Sequence, residues 1–215
     1  ALNAFLLWHT QTRGAIIGFA TGLALVGGLM LWRSMRAKAL VLIITILAAC
    51  TLAYGWLVAN QNTPLVLKNT TLHRLAAISP TDITTQNRLI VWGAGLRGFA
   101  ERPILGWGLE NFRDPFNNYF DPSITRDIGS SPWYDRAHNT VIETAVASGT
   151  LGLFAYGLLW VWIGLALFRL YKRSPWEGML LGGTAVAYFI QNLFVFDTIN
   201  SYLLFFALLV LIEFR

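Results

Sequence analysis

Chemistry at neutral pH needs groups that take up protons or hold developing charge, and one such group stands at a boundary in this sequence. His138 lies in Arg136-Ala137-His138-Asn139, where a long polar stretch gives way to an apolar one. A neutral imidazole, with an ordinary pKa of about 6.5, accepts a proton near neutral pH and suits general-base work. Arg13 and Arg88 carry always-charged, planar guanidinium forks of the kind that hold phosphate oxygens. Arg136, Asn139 and Trp92 are accessory candidates around them. Each also has a plainer reading. His138 is a common polar residue at a helix start, Arg13 snorkels at a helix end, and Arg88 sits on a solvated helix face. Arg136 pairs at the surface with its neighbour Asp135. Trp92, Trp107 and Trp133 either stack on sugars or, as expected, anchor the segment at the membrane interface. His9, His73 and Asp197 carry no assignable role. The single cysteine, Cys50, excludes an intrachain disulfide and a cysteine metal cluster. Neither a metal site nor a cofactor is expected.

The elements that position these residues are apolar helices. Of the 215 residues, 55% are hydrophobic and 13% charged, and the mean hydropathy is +0.53. The bilayer is the solvent such a chain needs: a hydrocarbon core of roughly 30 Å takes about 20 apolar residues per helix. Ala15–Trp32, Ala39–Ala59, Val141–Leu170, Trp176–Phe196 and Ile199–Ile212 qualify. The expected fold is therefore all-α and multi-pass, with about five spans. Residues 1–59 hold two of them, 60–138 a large loop subdomain, and 139–215 the other three. The basic loops 33–38 and 169–175 face the cytoplasm by the positive-inside tendency. Two spans separate them, so parity puts them on one side, as their charge requires. The polar segment 60–136 and the Asp197–Asn200 turn then face the opposite side, the periplasm in a bacterium. The net charge of +5 is spread over membrane flanks and loops without a basic stripe, so no nucleic-acid partner is expected. Transporters place ionisable residues deep in their spans, whereas the interiors Ala15–Met30 and Leu40–Val58 carry none. The chain has no initiator Met and reads as part of a larger membrane protein.

Within the long loop, Thr84 or Thr85 to Arg102 reads as an amphipathic helix. Its apolar side is Leu89, Ile90, Trp92, Leu96 and Phe99, and Pro103 stops it. Gly93-Ala94-Gly95-Leu96-Arg97-Gly98 matches the dinucleotide fingerprint, but that fingerprint needs a strand before it and a full helix after it. Pro103 denies the second, so the match is set aside. Pro103-Ile104-Leu105-Gly106-Trp107-Gly108 signals tight turns, and Asp121–Trp133 is turn-rich. Thr140 and Glu143 fit a capping box, so the next helix begins near Asn139 or Thr140. Gly14-x3-Gly18-x3-Gly22 and Gly178-x3-Gly182 mark close helix packing in lipid.

Five segments taken together resemble the O-antigen ligase and Wzy polymerase superfamily. They are Asn87-Arg88-Leu89-Ile90-Val91-Trp92, Glu101-Arg102-Pro103-Ile104-Leu105-Gly106-Trp107-Gly108, Arg136-Ala137-His138-Asn139 with Ser148-Gly149-Thr150-Leu151-Gly152, and Thr12-Arg13-Gly14-Ala15. The resemblance runs from about Thr10 to Phe196. It implies a multi-pass, GT-C-like, metal-independent glycosyltransferase of the bacterial inner membrane. Such enzymes move a glycan from an undecaprenyl-pyrophosphate carrier to an acceptor hydroxyl on the periplasmic face. The implied roles are general base for His138 and pyrophosphate binding for Arg13 and Arg88. The acceptor is left open among lipid A-core, a growing glycan (a polymerase) and protein (an O-oligosaccharyltransferase). Membrane lipids are the surrounding partner. A polysaccharide or lipid transporter is the reading from another class.

Overall fold

The computed structural model describes residues 13–34, 36–76, 83–125 and 133–215. His9, Thr12 and most of the turn-rich 121–133 stretch lie outside the described residues, as do the side chains of Arg13 and Cys50. The elements run α1 (Arg13–Ser34), α2 (Arg36–Ala59), α3 (Pro64–Lys68), α4 (Thr70–Ala76), α5 (Ile83–Glu101), α6 (Arg113–Asn118), a 3-10 turn (Pro122–Thr125), α7 (Thr140–Arg173), α8 (Pro175–Asn192) and α9 (Ile199–Glu213). No strand occurs among the described residues. The all-α expectation holds.

Among the described residues two helices, Gly14–Ser34 and Thr140–Arg173, are long and apolar enough to cross a membrane, and Ile199–Glu213 is a shorter apolar helix. Five apolar stretches were expected to span. Helices do cover all five, but α8 closes on the polar pair Gln191-Asn192 and α9 has only 15 residues. Along α7, Leu151, Phe154, Leu158, Val161, Leu165 and Phe168 all stand exposed. An apolar stripe of that length is costly in water and at home against lipid or other helices.

The helices fall into two units. One comprises residues 1–79 and 167–191, the other 80–166 and 192–215. In the first, α1 meets α8 through the glycines the spacing pointed to. A Cβ on Gly18 would lie 2.5 Å from the Ala187 carbonyl oxygen, and one on Gly22 2.5 Å from that of Gly183. The contact on α8 is made by Gly183, one residue beyond the expected Gly182, which has open space around it. Leu57 at the end of α2 packs with Val66, Leu72, Leu75 and Ala76 from α3 and α4.

The second unit has its core where α5, α6, the segment before α7 and the start of α7 meet: Val91, Ala94, Phe112, Phe116, Ile124, Ala137 and Val146. The helix expected from Thr84 or Thr85 to Arg102 is there, and Ile90 and Phe99 of its expected apolar side pack against the core, but its most buried face is shifted from the expected one. Asn87, Val91, Ala94, Gly95 and Gly98 face inward, while Leu89 and Leu96 are 53% and 52% exposed. Small size decides it. Gly98 admits the Pro115 ring, with a Cβ there falling 2.2 Å from Pro115 Cβ, and Gly95 admits the edge of Phe112. Two glycines of the fingerprint-like run are thus packing positions inside a helix. At the other end of this contact the Tyr119 hydroxyl donates to Glu101, a bond that pushes the Tyr119 phenol above its ordinary pKa.

Candidate functional site

The site begins with a break in a helix. Within α7, Gly149 has φ 63° and ψ −160°, a region open essentially to glycine alone. A break orphans carbonyls before it and N–H groups after it, and buried orphans are costly. Here a neighbouring segment satisfies them. Val146 and Ala147 carbonyls accept from the N–H groups of Trp107 (2.8 Å) and Gly108 (2.9 Å). Thr150 and Leu151 N–H groups donate to the carbonyls of Pro103 (2.7 Å) and Ile104 (3.4 Å). The Pro103–Gly108 turn and the Ser148–Gly152 segment, separate in sequence, are one backbone joint. Contact is so close that a Cβ on Gly149 would lie 2.2 Å from the Ile104 oxygen, and one on Gly106 (φ 70°) 2.4 Å from the Val146 oxygen. Trp107 locks the joint to α5 by donating from Nε1 to the Gly98 carbonyl at 2.7 Å, with the Arg102 guanidinium 4.0 Å over its ring.

One short turn upstream of that joint carries His138. The residue has φ 53°, an uncommon conformation for a side chain with a Cβ, and one that persists only where its surroundings over-determine it. They do so through Ala137, which is 0% exposed. Its carbonyl accepts from Trp92 Nε1 at 2.9 Å, and its N–H donates to Glu143 Oε2 at 2.7 Å. On the other side Asn139, itself buried, caps α7: Oδ1 accepts from the N–H groups of Val141 (3.0 Å) and Ile142 (3.2 Å).

This corrects the expected capping box. The helix does begin at Thr140, but the cap is Asn139, whose side chain outranks threonine's at that position. Glu143 does reach back to a backbone N–H, that of Ala137.

The His138 ring is half-buried, edge-on to Tyr134 (5.8 Å) and Phe196 (5.1 Å). Its Nδ1 lies 3.3 Å from the carbonyl oxygen of Arg136. A proton on Nδ1 would donate to that oxygen and leave the lone pair on Nε2.

The arginines divide. Arg136 pairs with Glu110, not with the expected neighbour Asp135. Its guanidinium also lies 5.5 Å over the Phe196 ring. Arg88 is half-buried and lies 5.9 Å over Phe194. Two aromatic residues of the α8–α9 turn thus receive Arg88 on one and Arg136 with His138 on the other. Arg13 opens α1 in the first unit. Trp92 is a backbone anchor and Trp133 stands exposed.

Against this turn lies a cavity of about 880 Å³, lined by Leu109, Glu110, Arg136, Thr140, Glu143, Thr144, Ala147, Ser148 and Phe196–Asn200 with Tyr202. His138 does not line it, but its ring packs edge-on against Phe196, which does. Asp197 is set in place by Asn192 Nδ2 (3.0 Å) and Ser201 Oγ (2.9 Å). Sequence reasoning passed over Phe194, Phe196, Glu110 and Asp197. The one local signal was an acid between two apolar helices, since contact across such sequence distances leaves no trace in spacing. Among the described residues no group of His, Cys, Asp and Glu is placed to hold a metal.

The sequence model of a family described as O-antigen ligase matches residues 1–157. No curated protein matches the chain.

Proposed function

We propose that this chain, which belongs to the O-antigen ligase family, transfers a glycan from an undecaprenyl-pyrophosphate carrier to an acceptor hydroxyl at the periplasmic face of the inner membrane. In this reading the five apolar stretches all span, and the 60–138 segment lies outside. His138 Nε2 takes the proton of the acceptor hydroxyl as its oxygen bonds to the anomeric carbon of the donor glycan. The bond from that carbon to the pyrophosphate oxygen breaks, and its electron pair leaves with the lipid pyrophosphate. Arg88 and Arg13 offset the charge of the departing group, and the imidazolium then releases its proton to water.

The observation that carries the reading is the His138 turn. A histidine at positive φ, clamped through Ala137 and packed edge-on against Phe196, is held at a conformational cost of about 1–3 kcal/mol. The Nδ1 contact with the Arg136 carbonyl orients the ring for base work, the second-nitrogen logic common to catalytic imidazoles. Arg88 is half-buried against an aromatic ring, where a cation has lost part of its water and gains from an anionic ligand.

Transfer from purified lipid-linked glycan to acceptor, assayed on the protein in nanodiscs, tests it. His138→Ala should abolish transfer with folding intact, and Arg88→Ala should weaken binding of the lipid pyrophosphate. Transfer retained by His138→Ala would end the assignment.

A further inference from the structure

Helix α7 is longer than a bilayer core is thick. Its apolar stretch, expected over Val141–Leu170, would measure about 45 Å at a rise of about 1.5 Å per residue, against a hydrocarbon core of roughly 30 Å. The break at Gly149 divides it. Before the break, Val146 packs in the core of the second unit and Glu143 holds the Ala137 N–H. After it, Leu151–Phe168 contains no charged residue and exposes Leu151, Phe154, Leu158, Val161, Leu165 and Phe168, until Arg169, Lys172 and Arg173 close the helix. From Leu151 to Leu170 the helix rises about 30 Å, one hydrocarbon thickness. On the side of α7 that begins beside His138, the hydrocarbon edge therefore falls at the break.

We propose that the turn joined to this break inserts into the membrane, with Ile104 and Leu105 entering the acyl chains of the adjoining leaflet as a wedge beside α7. The inference rests on α7 crossing the bilayer and not on the transfer reaction.

The register of the joint decides the depth. The N–H groups of Trp107 and Gly108 bond Val146 and Ala147, before the break, whereas the carbonyls of Pro103 and Ile104 bond Thr150 and Leu151, after it. The chain thus descends from the end of α5, turns at Ile104 and Leu105, and climbs again at Trp107. Its lowest residues are level with Leu151, the first of the uncharged run. They are also apolar and outward, Ile104 63% and Leu105 73% exposed. Water penalises two branched aliphatic side chains held out together, and hydrocarbon does not. Higher on the turn the Arg102 guanidinium lies 4.0 Å over the Trp107 ring, a pair suited to the headgroup layer. Acyl chains fit the outward surface better than another helix does, because helix contacts in lipid favour small residues. The small residues here are already used inside the joint: Gly106 lies against the Val146 carbonyl and Gly149 against that of Ile104.

Depth-dependent fluorescence quenching tests the wedge on the protein in nanodiscs. Leu105→Cys, Leu158→Cys and Asp114→Cys, each combined with Cys50→Ser, are labelled with bimane. The quenchers are lipids brominated near the headgroup, lipids brominated near the chain end, and aqueous iodide. The label at 105 should be quenched most by the shallow bromines and lose its response to iodide. The label at 158 should respond most to the deep bromines, and the one at 114, on α6, to iodide alone. Ile104→Cys should report the same depth as Leu105→Cys, so the test does not hang on one variant. Iodide quenching at 104 and 105 with lipid quenching at 158 would overturn the wedge and leave α7 spanning. Iodide quenching at 158 as well would overturn the spanning of α7, and with it both the wedge and the proposed reaction. Protection from all three quenchers at 104 and 105 would mean that protein covers the turn, and would equally overturn the proposal.

Discussion

In the first unit Gly18, Gly22 and Gly183 serve by having no side chain, while in the second Gly106 and Gly149 serve by the backbone angles they reach. The two joints look alike in composition and differ in physics. Where α1 meets α8, the helices run unbroken and their hydrogen bonds are internal, so the glycines only let two backbones approach. At the α7 break the helix gives up its own hydrogen bonds, and the Pro103–Gly108 turn replaces four of them. The first arrangement holds helices together. The second fixes where the start of α7, and with it His138, sits relative to α5. A packing contact tolerates small adjustments, whereas a joint made of backbone hydrogen bonds has one register.

Substitutions break the two joints to different extents. The largest effect is expected for Gly149→Ala, which combines a disallowed conformation with a Cβ 2.2 Å from the Ile104 oxygen. It should cost more than about 3 kcal/mol, read as a lowered thermal midpoint in detergent together with loss of transfer. A wild-type midpoint would mean the break is not an obligatory part of the fold. Gly183→Ala should cost less, about 1–3 kcal/mol of overpacking, because its nearest obstacle is the Val26 side chain at 2.4 Å. Its neighbour is the control. Gly182 has nothing within 4 Å, so Gly182→Ala should raise the midpoint by the helix-propensity gain of about 0.5–1 kcal/mol. Equal effects at 182 and 183 would contradict the packing described.

A smaller change sharpens the same comparison at the turn itself. Asn139→Ala should cost about 1 kcal/mol of stability, the usual value of a side-chain cap, while Asn139→Asp should retain most of it. Because the cap follows His138 directly, kcat should fall with the midpoint, and the KM for the lipid-linked donor should hold. An unchanged kcat in Asn139→Ala would show that the Ala137 clamp alone fixes the histidine.

Much of the fold was legible because apolar length and small-residue spacing report local necessity. The helices appear where the apolar stretches are, and α5 ends within a residue of the expected position because Pro103 cannot continue it. The inward face of α5 was read only in part, for a physical reason: Ile90 and Phe99 do pack inward, but hydrophobicity also marks the exposed Leu89 and Leu96, while the partner surface of Phe112 and Pro115 selects the narrow Ala94, Gly95 and Gly98 face. The cap at Asn139 was within reach, since asparagine just before an apolar run is a strong helix-start signal. The Glu110 partner of Arg136 was not, because 26 residues separate the two.

The sequence by itself determined that the chain is helical and apolar enough to need a membrane. Residue type made His138, Arg88 and Arg13 capable of the chemistry, and the resemblance to the family, carried by short local motifs, is what set them above their plainer readings. Only the tertiary structure decided that the Pro103–Gly108 turn completes a broken helix and that Trp92 and Glu143 clamp the turn carrying His138. It also decided that the α8–α9 turn supplies the aromatic wall of the cavity. Each of these is a hydrogen bond or ring contact between segments distant in the chain, made possible by backbone angles and close approaches that exist only once the helices have packed.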